Sequence, residues 1–403
     1  METAALALTR VTALVGDGLE PVQGTVVVEG GRVAAVGDVP VPAGAREVAL
    51  PGHTVLPGLV DTHVHLGAPG GAGPLALAGA VLGHLRFQPR GRRAFLAHGV
   101  TTVCSLGDDN AWVHELRRRT ADGSLPGPRV RIAGPLFTAP GGHPVATLGA
   151  SPDDDWVRVP RSPDHAREQV AALAGGADPV DVVKVVQDRG DPARRSLEPV
   201  APAVLAAIAD EAHRHGVPVV AHWGTLPDLA ELLEAGADHL QHLEPRGPLA
   251  GWPAELLEAL VARGTTLAPT LAVTEALLDA DTARTLRRRV REFHEAGGTV
   301  LAGSDSGMPA VPPGAGLVRE VELLAACGLT PREALAAATT GPARALGAGA
   351  ALVPGAPADL LVVRGDPHTG TDPLRRVALV LRGGRPAARA GRRRTRRLRG
   401  GTP

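Results

Sequence analysis

The apolar run LPGLVDTHVHLG ends in two histidines, His63 and His65, where a buried strand would be expected to carry aliphatic residues. Residues two apart on a strand point to the same side, so both imidazoles address one place. Comparable exceptions recur further along: Lys184 interrupts VDVVKVVQ, His222 closes PVVAHW, His242 lies in HLQHL, and Asp305 lies in TVLAGSDSG. Neutral imidazole nitrogens and a carboxylate oxygen are donors suited to Zn²⁺ and other borderline divalent ions. An ammonium group repels cations, so Lys184 is the odd member. Carboxylated by CO₂ it becomes an anionic carbamate, whose two oxygens can bridge two metals ~3.5–4 Å apart. The alternative is an ion pair with a nearby acid such as Asp188. Taken singly, each of these residues has a plain structural role: a hydrogen-bonded strand histidine, a snorkelling lysine, a helix-capping aspartate.

The elements that must position them follow a regular order. Residues 1–50 cluster β-formers between turn signals, with Glu29-Gly30-Gly31 reading as a hairpin turn. From Leu56 onward short apolar strands alternate with amphipathic helices. The expected strands are LPGLVDTHVH, GVTTVCSLG, RVRIAGP, VDVVKVVQ, PVVAHW, HLQHL, TTLAPTL and TVLAGSDSG. Segments such as PAVLAAIADEAHRHG, LPDLAELLEAGA and TLRRRVREFHEAGG end in Gly, as helix C-caps do. Eight such strands predict an α/β fold, a (β/α)8 TIM barrel, in which polar residues at strand C-termini face the active-site mouth. Thr330-Pro331-Arg332-Glu333 opens a further helix, EALAAATTGPARALG, with a capping box. ADLLVVRG and RVALVLRGGRP then return to β texture, and pairing with the N-terminal strands gives a small β-sandwich domain formed by both chain ends.

HVH, the strand-four lysine, the strand-five and strand-six histidines and the strand-eight aspartate, in this order, resemble the amidohydrolase superfamily in its binuclear, carboxylated-lysine form. VLPGLVDTHVHL, GADHLQHLE, AGSDSG, GLTPREALAAATTGPARALG and GAPADLLVV resemble its imidazolonepropionase-like and Xaa-Pro dipeptidase (prolidase)-like branch, from about residue 5 to residue 388. The resemblance implies a metal-dependent hydrolase of an amide, peptide or cyclic-amide C–N bond. It implies two divalent metal ions, taken to be Zn, with a CO₂-derived carbamate on Lys184 bridging them. His63 and His65 would hold one ion together with Asp305; His222 and His242 would hold the other. A bridging hydroxide would attack, and Asp305 would act as catalytic proton shuttle. His143, in TAPGGHPVA, matches a GGH feature of the branch and is the substrate-binding candidate, with a packed loop histidine as its alternative. Departures are visible: imidazolonepropionase proper lacks the lysine, VCSLGDDN lacks an Arg-Asp pair common in relatives, and the chain has no Tyr for a substrate contact. The same site would serve lactone, ester or phosphoester hydrolysis, and a non-catalytic scaffold is the remaining alternative. The expected organisation is 1–52 for the N-terminal part of the sandwich, 53–345 for the barrel, 346–388 for the C-terminal part, and 389–403 for a disordered Arg-rich tail.

Composition bounds the rest. Apolar residues make up 44% and charged residues 21% of 403, as in a globular protein with a sizeable core, and only four Phe and four Trp are available for pocket walls. The zero formal charge conceals the tail, whose seven Arg leave 35 basic against 42 acidic residues elsewhere. Nucleic-acid contact through that tail is the less favoured reading, and a homo-oligomer stays open. Cys104 and Cys327 form no paired motif and read as buried reduced thiols. With no leader pattern and no long apolar run, a cytoplasmic protein with no membrane contact and a small-molecule substrate is expected. HExxH, GxSxG and Walker A motifs are absent.

Overall fold

The structure, a computed structural model, describes residues 5–67, 89–243, 251–308, 310–349 and 351–389. The Arg-rich stretch from 390 onward and most of the Gly-rich loop after His65 lie outside the described residues. The first strands are β1 (Leu6–Val15), β2 (Glu20–Glu29), β3 (Arg32–Gly37), β4 (Arg46–Ala49) and β5 (His53–Pro57). There follow β6 (Leu59–Val64), β7 (Val100–Ser105), β8 (Arg129–Ile132), β9 (Leu136–Phe137), β10 (Val157–Arg158) and β11 (Val183–Gln187). A short hairpin, β12 (Gly190–Asp191) and β13 (Arg195–Ser196), precedes β14 (Val219–Trp223), β15 (His239–Gln241) and β16 (Thr266–Ala268). The C-terminal strands are β17 (Leu360–Arg364), β18 (Val377–Arg382) and β19 (Arg385–Arg389).

Both chain ends build one eight-stranded mixed sheet, ordered β19-β18-β17-β5-β1-β2-β3, with β4 parallel to β1. The expected Gly30-Gly31 hairpin joins β2 to β3 with both glycines at positive φ. Leu8, Val26, Val55, Val362 and Leu381 fill a core of its own. The boundary at residue 52 needs correction: β5 pairs with β1 and β17 and belongs to this sheet. The run LPGLVDTHVH therefore breaks at Pro57-Gly58. A Cβ at Gly58 would stand 2.1 Å from Thr101 Oγ1, so only glycine lets the chain pass that close and start a second sheet.

That second layer is parallel throughout. β6-β7-β8 form one sheet and β10-β9-β11-β14-β15-β16 another. Every residue of β6, β7 and β11 is buried, which parallel strands covered on both faces require. Residues 299–307, expected as a regular strand, make only isolated bridges among the described residues, to Leu267 on one side, to Val64 on the other and between Ser306 and Met308. Gly303 and a left-handed Asp305 (φ 59°) interrupt the ladder. Even so, Thr62 N–H donates to Ala302 C=O, and Leu301 N–H donates to Leu267 C=O. Val60, Cys104, Ala133, Val182, Val220, Ala268 and Leu301 form one buried cluster, drawn from in or beside β6, β7, β8, β11, β14 and β16 and from the 299–307 segment. Cys104 and Cys327 are buried free thiols, as expected.

The helices used below are α1 (Pro202–Arg214), α2 (Leu226–Ala235), α3 (Leu271–Leu277), α4 (Ala280–Glu295), α5 (Ala315–Ala326), α6 (Pro331–Ala337) and α7 (Thr340–Leu346). α1, α2 and α4 occupy the expected amphipathic segments, and α2 ends on left-handed Gly236. The single helix expected after the Thr330 capping box is two. Pro342 cannot donate to Ala338 C=O, and that free carbonyl instead accepts Val60 N–H at 2.8 Å. In the same way Ala337 C=O accepts Ala302 N–H at 2.8 Å, so the break anchors the two segments that carry His63 and Asp305.

Glu320 of α5 is fully buried and accepts Ala272 N–H at 2.7 Å, at the first turn of α3. α3 lacks a side-chain cap of its own, and Glu320 takes that place. Burial pushes the Glu320 carboxyl up to about 8, whereas the unfolded group ionises near 4.5. The folded state therefore holds a proton that the unfolded state has lost, and this contribution to stability declines as pH rises between those values. Glu320→Gln should gain stability relative to the native protein between pH 4.5 and 8, by at most ~1.4 kcal/mol per pH unit, and plateau above. Urea midpoints of both proteins at pH 5, 6.5 and 8 check this.

Candidate metal centre

His63 and His65 end β6 and the chain beyond it. His63 Nδ1 bonds Gln241 Oε1 at 2.8 Å, which makes Nδ1 the protonated nitrogen and leaves Nε2 bare. That Nε2 lies 3.3 Å from His65 Nε2 and 3.6 Å from Asp305 Oδ1, with His65 to Asp305 at 3.4 Å. The ligand-capable atoms of the three residues all fall within 4.8 Å of one another. Burial, then the charge of Lys184, holds His65 down at about 4, and His63 lies well below its ordinary value for the same reasons. Both rings are therefore neutral near pH 7, with lone pairs directed at one point.

Asp305 reaches that point because GSDSG lies hard against β6. A Cβ on Gly303 would stand 2.9 Å from His63 Cβ, and one on Gly307 would stand 2.3 Å from His65 C=O. Asp61, two residues before His63, accepts Ser304 N–H at 2.8 Å and Ser304 Oγ–H at 2.5 Å. Burial raises its carboxyl to about 7, and the Ser304 bonds oppose that rise.

Lys184, His222 and His242 complete the mouth. Lys184 Nζ is buried with no hydrogen-bond partner among the described residues, and burial lowers the amine to about 7 against the pull of Asp305. Asp188, the alternative partner for Lys184, accepts Gly190 N–H and places Oδ2 3.7 Å from His222 Nε2. That is beyond hydrogen-bond length, and His222 Nε2 is itself without a hydrogen-bond partner. His242 sits at φ 68° just past β15, and its Nδ1 bonds Thr270 Oγ1 at 2.8 Å. Its ring centroid is 4.6 Å from that of His63 and 5.0 Å from that of His222. Burial, then the neighbouring His63 and His222, depress it well below the usual range.

His143 stacks on His222 at 5.6 Å and lines the same cavity of about 560 Å³. Burial lowers it to about 3. All seven sequence-nominated residues thus line one cavity. His239, left out because of its place in the strand, turns to Thr266 Oγ1 instead. His213, His215 and His294 pair with Asp238, Glu211 and Glu333 away from the cavity. Gln241, Thr270 and Asp61 escaped the sequence reading, since a polar residue beside a candidate ligand looks like any strand-end residue; Asp188 entered it only as a partner for Lys184.

The donor set fits divalent cations. Two imidazole nitrogens and a carboxylate oxygen face one another, and a buried amine without a hydrogen-bond partner among the described residues lines the same cavity. With this geometry described, comparison with known proteins is direct. The chain belongs to the amidohydrolase family, whose model matches residues 54–387. It is 30% identical over 289 residues to an uncharacterized protein of Mycobacterium tuberculosis strain ATCC 25618 / H37Rv, covering 63% of this chain and 76% of that one. Among solved structures, a Bifidobacterium longum protein assigned as a prolidase superposes with a TM-score of 0.75 at 28% identity, over 96% of this chain and 95% of that one. Phenylurea hydrolase B gives a TM-score of 0.75 at 25% identity, over 95% and 96%. No helix among the described residues is long and apolar enough to cross a membrane.

A ligand ring held by a buried amide should bind metal more loosely when that amide is removed. Gln241→Leu should weaken divalent-cation affinity ~10–100-fold while leaving the fold intact, as read by competition against a chromogenic chelator.

Proposed function

We propose that the chain is a metal-dependent hydrolase that cleaves an amide, peptide or cyclic-amide C–N bond. One observation carries this: the His63–His65–Asp305 triangle opens on the same cavity as the unpartnered amine of Lys184 and the rings of His222 and His242. In this reading His63, His65 and Asp305 hold one divalent ion. His222, His242 and a carbamate formed on Lys184 hold a second, and zinc suits the donors. Such ions supply Lewis acidity and acidify bound water. Lys184 suits carbamate formation because an amine lowered to about 7 is substantially unprotonated, and only the free base captures CO₂.

The remaining steps fall to the chain itself. Asp305, at the rim of β6, takes a proton from the attacking water and delivers it to the leaving nitrogen. His143, neutral and stacked on His222, faces the cavity as a substrate contact. Asp61 holds Ser304 and so keeps Asp305 at its angle. The scaffold is read as a (β/α)8 barrel from residue 59 to about 349, supported by the buried cluster drawn from β6 round to the 299–307 segment and by the backbone bonds on both sides of that segment. The eight-stranded sheet of both chain ends is read as a separate sandwich-like unit, supported by its own core. The prolidase assignment of the Bifidobacterium longum relative supports a C–N bond as the one cut.

Asp305→Asn should lower kcat ~10²–10⁴-fold on any dipeptide or N-acyl amino acid the native protein hydrolyses. Turnover should also cease on exhaustive chelation and return with Zn²⁺ and bicarbonate. Full activity in the Asp305→Asn protein overturns the assignment.

A further inference from the structure

The side-chain direction that brings Lys184 into the cavity recurs along β11 and just past its end. Residues two apart on a strand share a face, and Lys184, Val186 and Asp188 all line the cavity. Asp188 is only 5% exposed, and a carboxylate so buried needs hydrogen bonds or positive charge around it. Gly190 N–H donates to its Oδ1 at 2.7 Å. The adjacent cation is engaged elsewhere: Arg189 bonds Asp228 and Glu231 of α2.

The second oxygen of Asp188 faces His222. Oδ2 stands 3.7 Å from Nε2, too far for a hydrogen bond. That nitrogen is buried and has no hydrogen-bond partner among the described residues. The pair repeats the relation of Asp305 Oδ1 to the nitrogens of His63 and His65, at 3.6 and 3.4 Å. Two donors that each bond one ion at ~2.0–2.2 Å stand apart by such distances, whereas two groups sharing a proton stand closer.

The surrounding chain fixes Asp188 in this attitude. Gln187 donates to Val200 C=O at 3.1 Å and accepts Val200 N–H at 2.8 Å. Arg189 N–H donates to Asp228 Oδ2 at 3.2 Å. Gly190, at φ 69°, passes so close to the hairpin that a Cβ would lie 2.3 Å from Arg195 C=O. With both neighbours tied outward, the carboxylate is held toward His222 before any ligand arrives.

Resting on the hydrolase reading above, we infer that Asp188 is a further ligand of the second divalent ion, beside His222, His242 and Lys184. A carboxylate of the chain itself then stands at each ion, Asp305 at the first and Asp188 at the second. Asp188 anchors the ion, and the proton transfers stay with Asp305.

The test reads the ions themselves, on the full chain loaded with ¹¹³Cd²⁺ and bicarbonate. Cadmium resonances report the donors at each ion separately, so the native protein should give two, and His222→Asn assigns the second. Asp188→Asn keeps an oxygen for Gly190 N–H, and with it the turn, but withdraws the charged donor. It should shift the second resonance and weaken that ion ~10-fold or more in chelator competition, leaving the first ion's affinity unchanged. Asp188→Ser is the second variant, with the same expectation. Native resonances and native affinities in both variants overturn the inference. So does tighter binding of the second ion, the result expected of a carboxylate that pairs with a protonated His222. Asp188-dependent binding in a native protein that hydrolyses no amide sustains the inference and overturns the hydrolase reading. Native hydrolysis with Asp188-independent binding does the reverse.

Discussion

Two imidazole nitrogens, those of His63 and His65, face each other across 3.3 Å, with a carboxylate oxygen of Asp305 3.4–3.6 Å from both. Acceptor atoms so close in a buried site call for a proton or a cation among them, because burial removes the water that would otherwise solvate them. Much of the surrounding structure bears on holding this arrangement. Gly58 lets β6 leave the mixed sheet, Gly303 and Gly307 let the Asp305 segment lie against β6, and Asp61 ties that segment down. Asp305, His242 and Thr270 all adopt positive φ, a conformation costing ~1–3 kcal/mol for each non-glycine residue. Three of the six such residues among the described ones lie at this one site.

Rigid and adaptable parts divide the remaining work. The ligand-capable side chains sit on or just past strands whose residues are buried on both faces, so their positions are set by packing. From neighbouring strand ends, Gln241 Oε1 accepts from the Nδ1–H of His63 and Thr270 Oγ1 orients the ring of His242. The walls that meet a substrate come instead from the short hairpin after β11 and from α3, elements with little core of their own. α3 is held partly from outside, by the Glu320 carboxyl of α5.

His63, His65, Lys184, His222, His242 and Asp305 stood out in the sequence because each interrupts an otherwise apolar segment, and the structure brings all six to one cavity. The alternation of strands and helices was legible for the same periodic reasons. Gln241 was not, since it lies between a histidine excluded by its place in the strand and a true candidate. The break at Pro57-Gly58 was hidden because both halves are apolar, and only the close passage of Thr101 explains it. The helix after Thr330 read as continuous because Ala and Leu dominate it, although Pro342 carried the signal for its interruption.

Metal content tests the central claim most directly. Protein purified with Zn²⁺ and bicarbonate, then desalted, should carry about two divalent ions per chain by elemental analysis, falling to about one or fewer in Lys184→Met. A native protein that retains none under those conditions would contradict the account.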